Sequence, residues 1–227
     1  MDKDETPIGG LAAPLQPTKQ LFYVSIVMDV AGVLLSLFVS PFFSGGVLLY
    51  ILASRAYSYR GIRLKKYALI GFLTVFIFQG ALIFFLTYHA VDPDQTIDVP
   101  LLSAVLSSLL IGALYPLTQI YQHEEDRRDG VTTLSYLLGK RGTFIFSMLL
   151  FLAATAGMYF LFSKQERENH FLLYLLILIP VVLFFLYWMG KVWKNQRAAD
   201  FKNSLRMNVL STICTSVYFI TLIILNH

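Results

Sequence analysis

Seven apolar runs, each close to the roughly 20 residues a helix needs to cross the hydrocarbon core of a bilayer, dominate this chain of 227 residues. They cover residues 21–39, 41–58, 67–88, 100–121, 143–162, 170–189 and 207–225. No soluble fold buries that much apolar surface in so short a chain, and charged residues make up 14% where a soluble domain carries about 25%. Membrane barrels are built from alternating segments of about 10 residues, and these runs do not alternate. A single cysteine, Cys214, excludes a disulfide scaffold. The opening Met1-Asp2-Lys3-Asp4-Glu5 has neither the basic stretch nor the apolar core of a cleavable signal peptide. The expected class is all-α: one polytopic transmembrane helical bundle spanning residues 1–227.

Consecutive spans place their loops alternately on the two membrane faces, so the basic residues can be assigned to sides. One side collects Lys3, Lys19, Arg55, Arg60, Arg63, Lys65, Lys66, Arg127, Arg128, Lys140, Arg141, Lys191, Lys194, Arg197, Lys202 and Arg206, and the other only Lys164 and Arg167. A split of 16 to 2 marks the first side as cytoplasmic and puts the C-terminus outside. The same partition accounts for the net charge of +4 as topology, so nucleic acid is not an expected partner. Membrane lipids are.

Polar residues inside an apolar run are costly, and where they recur they point to a function. Around the end of the fourth run, Tyr115, Gln119, Gln122 and Asp126 follow one another at spacings that share one face of a helix, provided the helix continues through Pro116. Such a stripe must face a bundle interior or a wet cavity, where it serves either as hydrogen-bonding glue between helices or as a site. Glu124 and Asp129 read as an ordinary solvated charge run. Arg55 and the loop that follows, Tyr57 to Lys66, group five cations on the same expected face as Asp126, which suits either an anchor at lipid head groups or a clamp for phosphate oxygens. Asp2, Asp4 and Glu5 add carboxylates on that face. Carboxylates beside cations are what magnesium-assisted binding of a phosphorylated lipid needs, because Mg²⁺ prefers a few carboxylate oxygens completed by water and phosphate. Asp29 lies within the first run, in a small and polar stripe with Ser25, Gly32 and Ser36. It is expected either to pair with another helix or to line a substrate cavity. His89 and His123 stand alone, without a second ligand at metal spacing.

The segment Gln122-His-Glu-Glu-Asp126-Arg127-Arg128-Asp-Gly130, followed by Thr133-Leu134 and Leu138-Gly139, resembles the second aspartate-rich motif, DxxxDxxxG, of the UbiA superfamily of intramembrane prenyltransferases. That superfamily includes 4-hydroxybenzoate polyprenyltransferase. The Tyr57-Ser58 to Arg63-Leu64-Lys65 loop is similar to the family's basic diphosphate-binding loop, and Asp2-Lys3-Asp4-Glu5 resembles the middle of its first motif, NxxxDxxxD. Two positions depart from the pattern, since Gln122 and Thr6 stand where the motifs usually carry aspartate.

The resemblance implies a nine-helix fold of which seven helices are present, and hence the expectation of a chain lacking its first two. It implies transfer of a prenyl group from a prenyl diphosphate to an aromatic or lipid acceptor. Asp2 and Asp126 would be the catalytic, metal-holding carboxylates with Gln122 and Glu5 beside them, and Mg²⁺ would be the cofactor. Arg63, Lys65, Lys3 and Arg127 would bind diphosphate, and Tyr57, Gln119 and Asp29 would line the substrate cavity. The implied setting is a bacterial inner membrane with the motifs cytoplasmic, as in quinone biosynthesis. The alternatives are a family member that binds lipids without catalysis and a polytopic transporter.

Overall fold

The computed structural model describes residues 18–59 and 61–225; Asp2, Lys3 and Glu5, expected at the site, lie outside the described residues. The described residues form helices α1 (Lys19–Ser36), α2 (Pro41–Ser58), α3 (Ala68–Val91), α4 (Leu101–Leu114), α5 (His123–Arg128), α6 (Leu134–Lys164), α7 (Glu168–Lys194) and α8 (Phe201–Leu225). No strand is present among them, and the chain is an all-α polytopic bundle.

Helix starts follow capping chemistry that the sequence spells out. Thr18, Ser40 and Thr133 each turn a side-chain oxygen onto a backbone N–H of the first turn, at 3.2, 3.0 and 3.2 Å, satisfying donors the helix cannot satisfy itself. Pro41 follows Ser40 at the first helical position, where its missing N–H costs nothing. Among the described residues, six helices are long and apolar enough to cross a membrane, with α4 reaching this length through a tight extension to Thr118. The seventh expected span, α2, is equally long but falls below the six in hydropathy because Ser44, Gly45, Gly46, Ser54 and Arg55 dilute it. It runs back along α1 after the short turn at 37–40.

Two expected helices differ from their sequence reading for identifiable reasons. The helix expected over 100–121 stops being α-helical at Leu114, tightens to a 3-10 turn over Tyr115–Thr118, and gives way to a turn before α5 begins at His123. Pro116 has no N–H to give the carbonyl of Gly112, and its ring collides with the preceding turn. The continuous polar face from Tyr115 to Asp126 therefore does not exist as one helix. The helix expected from Thr143 starts instead at Leu134 and is interrupted at Gly139, whose φ of 68° and ψ of 170° lie in backbone territory that favours glycine.

The core runs between α4, α6, α7 and α8. Trp188 and Phe144 are fully buried there, edge to face at 4.9 Å, and the Trp188 indole N–H donates to the Ala198 carbonyl at 2.7 Å. Elsewhere α3 and α4 are drawn together by small residues. A Cβ placed on Gly80 would lie 2.4 Å from the Cα of Ser108, and the Ser107 hydroxyl donates to the Gly80 carbonyl at 3.3 Å. Gly80 sits in a π-helical stretch of α3, Phe76–Leu82. Gly80→Ala is expected to force these backbones apart and to cost about 1–3 kcal/mol, the usual penalty of overpacking. Thermal unfolding in detergent checks this, and an unchanged midpoint would contradict so close a contact.

Candidate functional site

Three segments converge at one end of the bundle: the end of α2 with the loop after it, the broken end of α4, and α5 with the loop leading into α6. The loop from Tyr59 to Tyr67 is folded on itself, with Arg63 N–H bonded to the Tyr59 carbonyl at 2.6 Å and Lys66 N–H to the Arg63 carbonyl at 3.0 Å. Arg63 takes a left-handed conformation, φ 46°, which costs a non-glycine residue about 1–2 kcal/mol. Its guanidinium meets the Asp129 carboxylate at 3.1 Å, with both side chains mostly buried. A second tie is made by the backbone, where Thr132 N–H donates to the Lys66 carbonyl at 3.0 Å. The basic loop is thereby fastened to the acidic segment. Asp129, read from sequence as part of a solvated charge run, is instead the residue that receives Arg63. Nothing in its spacing separates it from Glu124; only the approach of a loop 66 residues away in sequence does.

The chain doubles back after α5 at Gly130, φ 64°, and the Val131 N–H returns to the Asp126 carbonyl at 2.8 Å. Glycine is needed here because the turn lies in the left-handed region. The reversal brings Thr133 over α5. Its hydroxyl donates to the Asp126 carboxylate at 3.1 Å while its oxygen caps α6. Thr133 thus fixes the helix start and the carboxylate together.

Beneath Asp126 the polar stripe survives in broken form. Tyr57 and Tyr115 share a hydrogen bond between their hydroxyls, and the Gln119 amide N–H donates to Tyr115 at 2.8 Å. The Asp126 carboxylate lies within electrostatic range of both tyrosine hydroxyls. Gln119 is buried, and its Oε1 has no hydrogen-bond partner among the described residues. Gln122 donates to the Tyr121 hydroxyl at 2.9 Å at the start of α5. Tyr57 and Tyr115 also wall a cleft of about 100 Å³ with Tyr50, Ser54, Thr74 and Gln79. The sequence reading missed Tyr50, Thr74 and Gln79. Gln79, a lone amide in the middle of the run over 67–88, carried the signal, since an amide in hydrocarbon needs a reason.

Lys65 sits in the 3-10 turn Leu64–Lys66 beside Arg63, and Arg127 lies in the last turn of α5. Asp29 goes elsewhere. It receives Arg55 Nε at 2.8 Å, and Arg55 also donates to Ser25 at 3.1 Å, so the pair bridges α1 and α2. Asp29 lines a shallow hollow there with Val33 and Leu48. His89 bonds to Ser40 at 2.9 Å and to the Thr96 carbonyl at 3.1 Å.

His123 opens α5 and bonds through Nε2 to the Ser135 hydroxyl at 2.8 Å, which in turn contacts Thr143. Burial, and then the nearby Lys140 ammonium, lower its pKa from 6.5 to about 4. The folded form therefore binds fewer protons than the unfolded chain between those values, and stability rises with pH across that window. Unfolding midpoints are expected to fall as pH drops from 6.5 toward 4, and His123→Gln to flatten this dependence. An equally steep profile in the variant would contradict it.

Among the described residues, no group of three His, Cys, Asp or Glu side chains gathers at metal-ligand spacing. No curated protein and no solved structure matches the chain. A family model does, and it matches residues 1–211, which include the acidic segment, the basic loop and every helix up to the first part of α8. The chain that ties a left-handed arginine loop onto Asp129 and clamps Asp126 with Thr133 belongs to the UbiA prenyltransferase family.

Proposed function

We propose that this protein transfers an isoprenoid from a prenyl diphosphate to an aromatic or lipid acceptor at the bundle end built around Asp126 and Arg63, on the cytoplasmic side of the membrane. The observation that carries the proposal is the joining of the basic loop to the acidic segment by the Arg63–Asp129 pair and the Thr132–Lys66 bond. Cations and carboxylates held within one small volume suit a diphosphate and a divalent ion better than either cluster would alone.

The donors present are compatible with Mg²⁺. It is commonly bound through one or two carboxylates plus substrate phosphates, with waters completing the octahedron, so one oriented carboxylate on this side is enough. Asp126 would hold it with Gln122, joined by Asp2 and Glu5. When bound, it supplies charge neutralisation of the departing diphosphate.

The protein's own groups do the rest. Arg63 offers a planar fork of N–H donors to diphosphate oxygens, and Lys65 a compact charge, with Lys3 and Arg127 completing the clamp. The allylic C–O bond breaks with its electron pair leaving on the diphosphate, and the acceptor supplies the pair for the new bond to that carbon and loses a proton. Tyr57 and Tyr115, hydrogen-bonded to each other and to Gln119, form a wall of fixed dipoles and ring faces below the diphosphate. Aromatic faces attract a developing cation. The low water content of the membrane protects that cation from hydrolysis.

A second reading is favoured by Gln122 and Thr6, which stand where the two motifs usually carry aspartate: a family member that binds prenyl diphosphate without turning it over. Membranes containing the protein, given Mg²⁺, a labelled prenyl diphosphate and candidate acceptors, separate the two. Transfer yields a prenylated product and free diphosphate. Binding alone yields retained, intact prenyl diphosphate.

A further inference from the structure

The cleft that Tyr57 and Tyr115 wall is polar at a depth where polarity is costly. Gln79 lies eleven residues beyond the start of α3 at Ala68, about 16 Å along the helix at 1.5 Å per residue. An amide at that depth is expensive unless something bonds to it. Among the described residues, no hydrogen bond reaches the Gln79 amide, the Ser54 hydroxyl or the Tyr50 hydroxyl. Thr74, on the same wall, shows the ordinary solution by donating to its own helix at the Ile70 carbonyl, 2.7 Å away. Ser54 and Gln79 are exposed and Tyr50 is half-buried, so these three groups are open to the cleft they line. They are not glue between helices, which would bond them to one another.

The π-helical stretch Phe76–Leu82 decides which α3 residues share this wall. Thr74 and Gln79 both line the cleft, yet five residues along an α-helix leave two side chains about 140° apart. The i→i+5 turn of a π-helix is wider and brings them toward one side, and such stretches are rare and concentrate at functional sites. Size and chemistry then narrow the occupant. The cleft is about 100 Å³, less than the roughly 150 Å³ of an apolar cavity that takes up benzene, so it admits the substituted edge of one ring and neither fused rings nor a prenyl tail. Rings of Tyr50, Tyr57, Phe78 and Tyr115 face it and suit edge or offset contact with an aromatic guest. No charged side chain lines it, and the charge within range of the Tyr57 and Tyr115 hydroxyls, that of Asp126, is negative. A carboxylate or phosphate placed here would be desolvated, uncompensated and repelled.

We propose that this cleft is the acceptor subsite, that the acceptor is an uncharged single-ring phenol, and that Gln79 with Ser54 and Tyr50 binds its polar substituent. The inference rests on the reading of the Asp126–Arg63 end as the prenyl diphosphate site, because Tyr57 and Tyr115 belong to both. Gln79 is a specificity-determining residue here: its amide can donate to or accept from a neutral oxygen, and it offers no charge to balance an anionic one.

The test offers two phenols of matched shape and different charge, 4-hydroxybenzyl alcohol and 4-hydroxybenzoate, to the protein in lipid nanodiscs with geranylgeranyl diphosphate and Mg²⁺. The alcohol is expected to be prenylated with a kcat/KM at least about 100-fold above that of the carboxylate. Gln79→Met keeps the length of the side chain and removes the amide. It should raise KM for the alcohol about tenfold and leave KM for the prenyl diphosphate unchanged, a split that a merely structural role would not produce. Ser54→Ala should act in the same direction, and it decides alone if Gln79→Met does not accumulate in membranes. Binding is read without turnover by photolabelling with a diazirine-bearing phenol, mapped by mass spectrometry. Labels are expected on the α2 and α3 residues of the cleft, in Asp126→Asn as in the parent, competed by 4-hydroxybenzyl alcohol and not by 4-hydroxybenzoate. Such labels without any transfer would remove the transferase reading and keep this site. Equal use of the two phenols or equal competition by them, transfer confined to lipid alcohols, labels only outside the cleft, or an acceptor KM unmoved in both variants would overturn the proposal.

Discussion

Asp126→Asn is expected to lower prenyl transfer at least about 100-fold, comparable to deleting one preorganised electrostatic contact in an active site, while leaving the helices intact. Asparagine keeps the shape of the side chain and an oxygen to accept from Thr133, whose hydroxyl now donates to the carboxylate at 3.1 Å. What it removes is the charge that would hold a divalent ion against the diphosphate. Initial rates at saturating prenyl diphosphate and a range of Mg²⁺ concentrations measure this. The loss should persist at high Mg²⁺. Full recovery there would reduce Asp126 to one weak ligand among several, and unchanged turnover would remove it from the site.

Arg63→Ala is expected to raise KM for prenyl diphosphate about 10- to 100-fold, the scale of losing a partly buried, hydrogen-bonded charge contact, with a smaller change in kcat. The effect has two parts. The diphosphate loses a planar fork of donors, and the loop loses its tie to Asp129 at 3.1 Å, together with the reason for holding residue 63 at φ 46°. Arg63→Lys distinguishes them, because lysine restores charge but not the two-pronged geometry, so it should recover only part of the affinity. A defect confined to the acceptor's KM would contradict the clamp.

Much of this architecture is legible in the sequence because the bilayer leaves few options. Backbone polar groups in hydrocarbon must be satisfied within the helix, so long apolar runs become helices, and Thr18 and Ser40 cap two of them close to where the apolar runs begin, whereas the start capped by Thr133 lies ten residues before its apolar run. Local chemistry misleads where tertiary contacts decide. Four polar residues around Pro116 share a helical phase, yet the proline ends the α-helix first. The site's Tyr57–Tyr115–Gln119 chain forms anyway, because α2 brings Tyr57 to the break. Asp129 looks no different from Glu124 until the Arg63 loop arrives. Asp29, set in an apolar run, is equally a candidate for a cavity or for a partner, and Arg55 answers from a helix that its own spacing does not reveal.

The most direct test of the account is a product assay on membranes carrying the protein, with doubly labelled prenyl diphosphate, Mg²⁺ and a panel of aromatic and lipid-alcohol acceptors. The expected result is a lipid product that keeps the prenyl label, with the diphosphate label released in equal amount, both depending on Asp126 and Arg63. Prenyl diphosphate that stays bound and intact under every acceptor, or is released without any prenylated product, would contradict it.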